Sequence, residues 1–442
     1  MRGTVGRVRW AALAVGAALI LAVGASAAPG PAPLAFDAPV DLSYPFDVDP
    51  GSVAIEDLNG DGRADVVIGS AADPTLEVSL NRGHRSFGGA QAYPLGGYPV
   101  NVAIADLNGD GSPDLLATNA NSNTVSVLLN RDDGSGRLQP YVNYALGEDD
   151  GTESMVDLGD LNGDGRLDLV AANPDLKGIS VLLNRGDGSF GAPTRFGTVS
   201  DPKDVRAADI TGDGRLDVVT TDGFVHVAVL PGNGDGSLGA GRDYRTAWSP
   251  QRIAVADFNG DGKLDVATSN SCCRVRHGVS VLLNTGHGTF APKHDLRGLA
   301  DTTTDVNGDG KADLVGGTGV LLNRGGGRFS TELSYAPNGT TAIGDLNGDG
   351  RPDLAVITLD ERNGSYGFWA LYNDPRACSV QHVTGKTVAR AARTLALANC
   401  RLGRTTYAHS GAKRGTVIRQ TPGYGAVLAK GRKVDVVVSL GR

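Results

Sequence analysis

A nonapeptide, Asp-Leu-Asn-Gly-Asp-Gly-Arg-Ala-Asp from Asp57 to Asp65, returns six more times in this chain with small changes. The copies begin at Asp57, Asp106, Asp160, Asp209, Asp257, Asp305 and Asp345, with successive offsets of 49, 54, 49, 48, 48 and 40 residues. A period near fifty residues means an array of one supersecondary unit, each copy burying its apolar surface against its neighbours.

Every copy places an oxygen-bearing side chain at positions 1, 3, 5 and 9. These are Asp57, Asn59, Asp61 and Asp65; Asp106, Asn108, Asp110 and Asp114; Asp160, Asn162, Asp164 and Asp168; Asp209, Thr211, Asp213 and Asp217; Asp257, Asn259, Asp261 and Asp265; Asp305, Asn307, Asp309 and Asp313; and Asp345, Asn347, Asp349 and Asp353. Positions 4 and 6 are Gly in all copies, which permits the positive φ of a sharp turn. A loop folding its odd-numbered oxygens inward is a cage for Ca2+, a hard cation that takes about 6 to 8 oxygens at roughly 2.3 to 2.6 Å. The carbonyl of position 7 completes the set, and up to seven sites are expected.

An EF-hand needs a Glu at position 12 and a helix on each side. Position 12 is instead Ile68, Ala117, Ala171, Thr220, Thr268, Gly316 or Val356. The flanking segments, such as Ser52 to Ile55 and Val66 to Ile68, are short and rich in β-branched residues, which reads as strand-loop-strand. A third strand follows in most copies, as in Val125 to Leu129, Ile179 to Leu183 and Val279 to Leu283, each ending at an Asn. Then comes a Gly-rich turn, after which Phe190 and its equivalents are expected to open a fourth strand. Four antiparallel strands repeated seven times predict a seven-bladed β-propeller.

The Phe-Gly pairs (Phe87-Gly88, Phe190-Gly191), the Asp-x-Asn-Gly-Asp-Gly loops and the Val-Leu-Leu-Asn strands resemble the FG-GAP or VCBS repeats of integrin α-subunit propellers and many secreted bacterial proteins. The resemblance covers residues 36–374 and implies a calcium-bearing propeller. Thr211 departs from the pattern at position 3, and the sixth copy is short.

The ends differ from the middle. Arg2, Arg7 and Arg9 precede an apolar run from Trp10 to Val23 and a small-residue cut site at Ala25-Ser26-Ala27, so residues 1–27 read as a secretory signal and 28–35 as a linker. The expected product is secreted, extracellular and associated with the cell wall, with no membrane span after signal removal. From residue 375 on there are 13 Lys and Arg against one acid, Asp435, whereas residues 28–374 carry 25 basic and 48 acidic side chains. Such asymmetry marks a separate module with a different partner.

In that module Val383-x-Gly385-Lys386-Thr387 leads into an amphipathic stretch, Val388 to Asn399, followed by strand-like segments at Gly415 to Pro422 and Gly431 to Ser439. This order resembles a PASTA domain, a small module of one helix and three strands found outside bacterial penicillin-binding proteins and Ser/Thr kinases. The expected fold class is therefore mainly β, a propeller followed by a small α+β PASTA-like domain at 375–442. The resemblance implies contact with peptidoglycan or an anionic glycan of the wall; a spacer is the plainer role. Cys378 and Cys400 bracket the module's first strand and helix, where a disulfide would stabilise it by roughly 3 kcal/mol. Cys272 and Cys273 are sequence neighbours and read as either a strained vicinal disulfide or free thiols.

Strand alternation puts the Asp loops and Gly-rich turns on one end of the ring. The other end collects Tyr98, Glu148, Asp149, Asp150, Trp248, Cys272, Cys273, Arg274 and Arg276, with Tyr98, Asp149, Trp248 and Arg276 as the candidate ligand face. Irregular surface loops without a ligand are the bland alternative. Arg185-Gly186-Asp187 spells an adhesion tripeptide, yet equivalent turns read Arg82-Gly83-His84 and Arg324-Gly325-Gly326, so turn chemistry accounts for it. The scattered histidines show no metal-ligand spacing, and no nucleophile elbow, His-Glu-x-x-His or phosphate loop appears. The expected function is extracellular recognition or adhesion by a calcium-binding propeller with an unknown protein or glycan ligand, without catalysis or nucleic acid. A secreted polysaccharide-active enzyme working from the face opposite the loops, with acids such as Glu148 and Asp149, is the alternative.

Overall fold

The final Asp of each repeat is the first residue of a strand, and this fixes the phase of everything around it. The computed structural model describes residues 34–441 apart from 38, 42–49, 71, 121, 148–154, 175–176, 199–200, 272–277, 318, 331, 336–338 and 361–364. The expected signal sequence lies outside the described residues, as do Glu148, Asp149, Asp150, Cys272, Cys273, Arg274 and Arg276.

Among the described residues there are seven four-stranded antiparallel sheets. In the first, Pro50–Glu56 runs innermost, Asp65–Ser70 and Thr75–Ser79 follow, and Gln91–Pro94 is outermost. The sheets beginning at Tyr98, Met155, Val205, Pro250 and Thr302 repeat this order. The seventh is different. Thr340–Gly344, Asp353–Asp360 and Ser365–Leu371 supply three of its strands, and Val40–Asp41, from the other end of the chain, pairs with Ser365–Leu371 as the fourth. The inner strands contact one another in sequence from the first blade to the sixth, the first meets the seventh, and the sixth and seventh share a core, so the sheets are the blades of a closed propeller.

Second strands such as Asp168–Asn173 are buried at every position, because a neighbouring blade covers each face and alternation with polar residues is lost. Val156, Leu158, Leu169 and Ala171 of blade three thus share a core with Ala103, Leu116 and Val127 of blade two. Blades six and seven close the ring through Val315, Val320 and Leu333 against Leu354 and Val356.

Phe190 does not open the fourth strand, contrary to the expectation above. It makes an isolated bridge back to Asn184, and the fourth strand begins at Thr194. The ring is buried and meets Tyr144 of blade two edge-on at 5.5 Å. Inter-blade burial thus holds Phe190, while Pro193, which lacks an N–H, ends the excursion.

The C-terminal module has one helix, α1 (Val388–Leu397), capped by Thr387 Oγ1 accepting from Arg390 N. Arg401–Ala408, Lys433–Ser439 and Val417–Thr421 form a three-stranded sheet, and Ala377–Ser379 pairs with Val427–Ala429. Ala391 and Leu395 of α1 pack on Val434, Val436 and Val438, and a disulfide joins Cys378 to Cys400 in that core.

The module is not free of the propeller. Leu34 and Ala35, read from sequence as linker, are buried. Leu34 N donates to Leu397 O, Phe36 N to Ser379 Oγ, and Asp374 N to Ala35 O. Gln381 Oε1 accepts from Ser334 N of blade six. The start of the described chain is thus a strap held by both parts.

Candidate functional site

Each Asp loop is built by its own side chains. In the third, Asp160 Oδ1 accepts from Gly163 N and Asp164 N at 2.7 and 3.0 Å, and Oδ2 from Gly165 N at 2.8 Å. Asn162 Oδ1 accepts from Asp164 N, and Asp164 Oδ1 from Arg166 N. Gly163 and Gly165 sit at φ +76° and +84°, the left-handed region where another side chain would be strained. The other copies repeat most of these bonds. In five loops the basic residue at position 7 pairs with the Asp at position 5, as in Arg215 to Asp213 at 2.5 Å and Lys263 to Asp261 at 2.8 Å. Apart from Lys311–Asp309, whose carboxylate is buried, these are exposed pairs that contribute little to stability.

Position 9 plays another part. Asp168 Oδ2 accepts from Leu161 N at 3.1 Å and Oδ1 from Asn184 N at 2.8 Å. The same two bonds recur at Asp65, Asp114, Asp217, Asp265, Asp313 and Asp353. These buried carboxylates staple the loop to the end of the third strand. Burial, reinforced by the other loop carboxylates, pushes Asp265 up to about 6, Asp353 to about 7 and Asp313 to about 8.

The Asn closing the third strand ties one blade to the one before it. Asn184 Nδ2 donates to Leu107 O of the preceding blade at 2.8 Å and to Leu167 O of its own at 3.0 Å. Asn81, Asn130, Asn284, Asn323 and Asn373 make the corresponding pairs of bonds. Blade four has Gly232 at this place, and there Gly236 N takes the neighbour's carbonyl, Leu161 O.

The donor set of each loop is all oxygen, from the carboxylates of positions 1, 5 and 9, the Asn or Thr of position 3 and the carbonyl of position 7. These are hard donors of the type Ca2+ prefers. Among the described residues no three His, Cys, Asp or Glu side chains are gathered closely enough to hold a metal. Positions 1 and 9 are instead hydrogen-bonded to backbone amides. A carboxylate has about four lone-pair sites, so these bonds leave acceptor capacity for an ion.

A second buried network was not visible in the repeat pattern. Asp157 Oδ2 accepts from Ala207 N of the next blade at 2.8 Å, and Asp204 Oδ2 accepts from Ile253 N of the one after at 2.7 Å. Arg206 Nη1 bonds Asp204 Oδ1 at 2.8 Å. Burial pushes Asp157 up to about 7 despite the opposing pull of Arg206.

At the far end of the ring, Tyr98 begins the inner strand of blade two and Trp248 lies between blades four and five. They are 41% and 61% exposed. Asp149 and Arg276 fall outside the described residues.

In the C-terminal sheet, Arg401 lies directly opposite Lys433, and Arg419 opposite Val437. Val434, Val436 and Val438 point inward, so Lys433, Asp435 and Val437 share the outer face with both arginines, Asp435 accepting from Arg404 N. All three cations are exposed. Among the described residues no helix is long and apolar enough to cross a membrane.

The comparisons agree with this architecture. The FG-GAP-like repeat model matches residues 57–117, 106–171, 160–220, 218–268 and 305–356, which include all seven loops. The PASTA domain model matches 379–440. Both are repeat or module types rather than enzyme families. BBS1N, solved in complex with ARL6DN, is 14% identical, with a TM-score of 0.52 over 77% of this chain and 97% of that one. Chaetomium thermophilum Raptor is 12% identical, with a TM-score of 0.51 over 77% of this chain and 29% of that one. An Agrocybe aegerita lectin, solved for its recognition of non-reducing terminal N-acetylglucosamine, is 22% identical with a TM-score of 0.45, over 73% and 94%. No curated protein matches. With its loops, strands and clamping asparagines in register throughout, the chain belongs to the FG-GAP-like repeat family and carries a PASTA domain at its C-terminal end.

Proposed function

We propose that the chain is exported by its N-terminal signal, carries calcium in the Asp loops, and is held at the cell wall by its PASTA domain while the propeller displays a ligand face for recognition or adhesion. The observation that carries this reading is the outer sheet face with Arg401, Arg419 and Lys433, in a fold whose members generally bind peptidoglycan or related wall ligands. The propeller has the opposite net charge, so that away from local cations its long-range field opposes a densely anionic polymer. Residues at positions 1, 3, 5 and 9 would hold Ca2+ with the carbonyl of position 7, and the ion would neutralise crowded carboxylates.

The test is sedimentation of the full mature chain with purified walls. Binding should occur at low salt and fade toward 1 M, where the Debye length falls from about 10 Å to about 3 Å. Arg401→Gln, Arg419→Gln and Lys433→Gln together should abolish it. Undiminished binding by that triple variant would rule out the sheet face. Salt-resistant binding lost in the variant would favour specific muropeptide recognition on the same face.

A further inference from the structure

We infer that the end of blade four facing away from the Asp loops is a binding platform for acidic pyranose sugars, a reading that rests on the proposed ligand face and names its ligand. Phe224, in the connection between the blade's second and third strands, is 53% exposed, and Trp248, just beyond its fourth strand, is 61% exposed. Large rings left in water on neighbouring loops mark a contact surface.

Both loops are fixed in place. Ser249 N donates to Phe224 O at 2.6 Å, Thr246 N to Val225 O at 2.7 Å, and Ser271 N to Ser249 O at 2.9 Å. Asp222 Oδ1 accepts from the amides of Phe224, Val225 and His226 at 2.8, 2.9 and 2.8 Å, while its Oδ2 faces His226 Nδ1. Gly223 turns at φ +67° against the stem of Lys203, whose Cγ lies 2.9 Å from where a Cβ would stand. Loops held rigidly lose little backbone entropy when a ligand docks on them.

The chemistry around the rings chooses the ligand. Lys203 lies beside Gly223, and Arg245 stands directly across from His226 in the strand register; both cations are exposed. Two exposed cations thus stand at this end of the blade beside the two rings, and the one acid of the turn, Asp222, is already engaged by three amides and His226. A pyranose offers a C–H face to an aromatic ring, and a carboxylate on that sugar suits a guanidinium. Nucleic acid also stacks and carries negative charge, but the long-range repulsion of the acidic propeller disfavours a polyanion of that density.

The mature chain contains Trp248 and Trp369; Trp369 is partly buried and donates to Thr358 Oγ1, so Trp248 is the solvent-facing reporter. Titration with trigalacturonate should give a saturable blue shift in tryptophan emission, and maltotriose should give none. Lys203→Ala with Arg245→Ala should raise the trigalacturonate Kd at least tenfold by calorimetry, as should Phe224→Ala. No shift with trigalacturonate, an equal response to maltotriose, or an unchanged Kd in the double variant would overturn the proposal, as would a response to single-stranded DNA without one to the sugar. Sugar bound only by the C-terminal sheet leaves Trp248 emission unmoved, so failure here is distinguishable from failure of wall binding.

Discussion

Replacing Asn184 with Ala removes the side chain that links blade three to blade two. It deletes Nδ2 bonds to Leu107 O and Leu167 O and the Oδ1 bond to Gly186 N. Asn184 is 2% exposed, so water reaches the abandoned carbonyls poorly. A buried polar group stripped of its partner costs about 1 to 3 kcal/mol, and with two carbonyls losing a donor the expected loss is about 2 to 6 kcal/mol. Asn184→Asp is the sharper variant, since its shape is nearly unchanged but an acceptor now faces two acceptors; it should destabilise at least as much as Ala. Urea unfolding followed by circular dichroism, at fixed excess calcium, reads both effects. Asn233→Ala, whose side chain bonds only the exposed Ser237 hydroxyl, is the control and should stay within about 0.5 kcal/mol of the parent. If Asn184→Ala also stays within that margin, the clamp is not what joins the blades.

Three further outcomes follow from the packing. Gly232→Asn should destabilise rather than restore the missing clamp, because a Cβ there would stand 1.9 Å from Leu216 O; a raised melting temperature would contradict this. Asp157 has a folded pKa of about 7 against an ordinary 3.8, so the stability it contributes is complete below 3.8 and is lost as pH rises through 7. Asp157→Asn should therefore melt closer to the parent at pH 4.5 than at pH 8, gaining relative to it as pH rises; a difference that does not change with pH would refute the shift. Cys378 and Cys400 should appear as one linked fragment pair in non-reducing peptide mapping of secreted protein, and Cys400→Ser should cost roughly 3 kcal/mol; two free thiols would contradict the bridge.

The repeat could be read from sequence because it is local: nine residues set the loop, and Asp65, Asp114 and their equivalents set the start of each second strand. What those aspartates bond was not legible. The run gives carboxylates at positions 1, 5 and 9 the same appearance, yet the fold buries position 9 in every loop, between an amide seven residues back and the end of the third strand. The terminal Asn was visible as a recurring letter, but its partner Leu107 O is 77 residues from Asn184, beyond any local pattern. Distance in sequence also hid the strap, since Phe36 and Ser379 are 343 residues apart. The charge step at residue 375 lies just before the PASTA match at 379–440 but carried no information about Gln381 and Leu397 meeting the propeller. At the end away from the Asp loops, the sequence points to Tyr98 and Trp248, which the fold leaves exposed, whereas the exposure of Phe224 is not legible because a lone Phe in a strand-rich chain reads as core.

The seven loops are best tested by their response to losing calcium. Protein purified in calcium should retain metal by elemental analysis, approaching seven ions per chain, and its melting temperature should fall clearly when a chelator is added, because an ion bound only by the folded state stabilises it. Asp261→Ala should lower the count by one. No bound calcium together with an unchanged melting temperature would contradict the assignment of these loops as calcium sites.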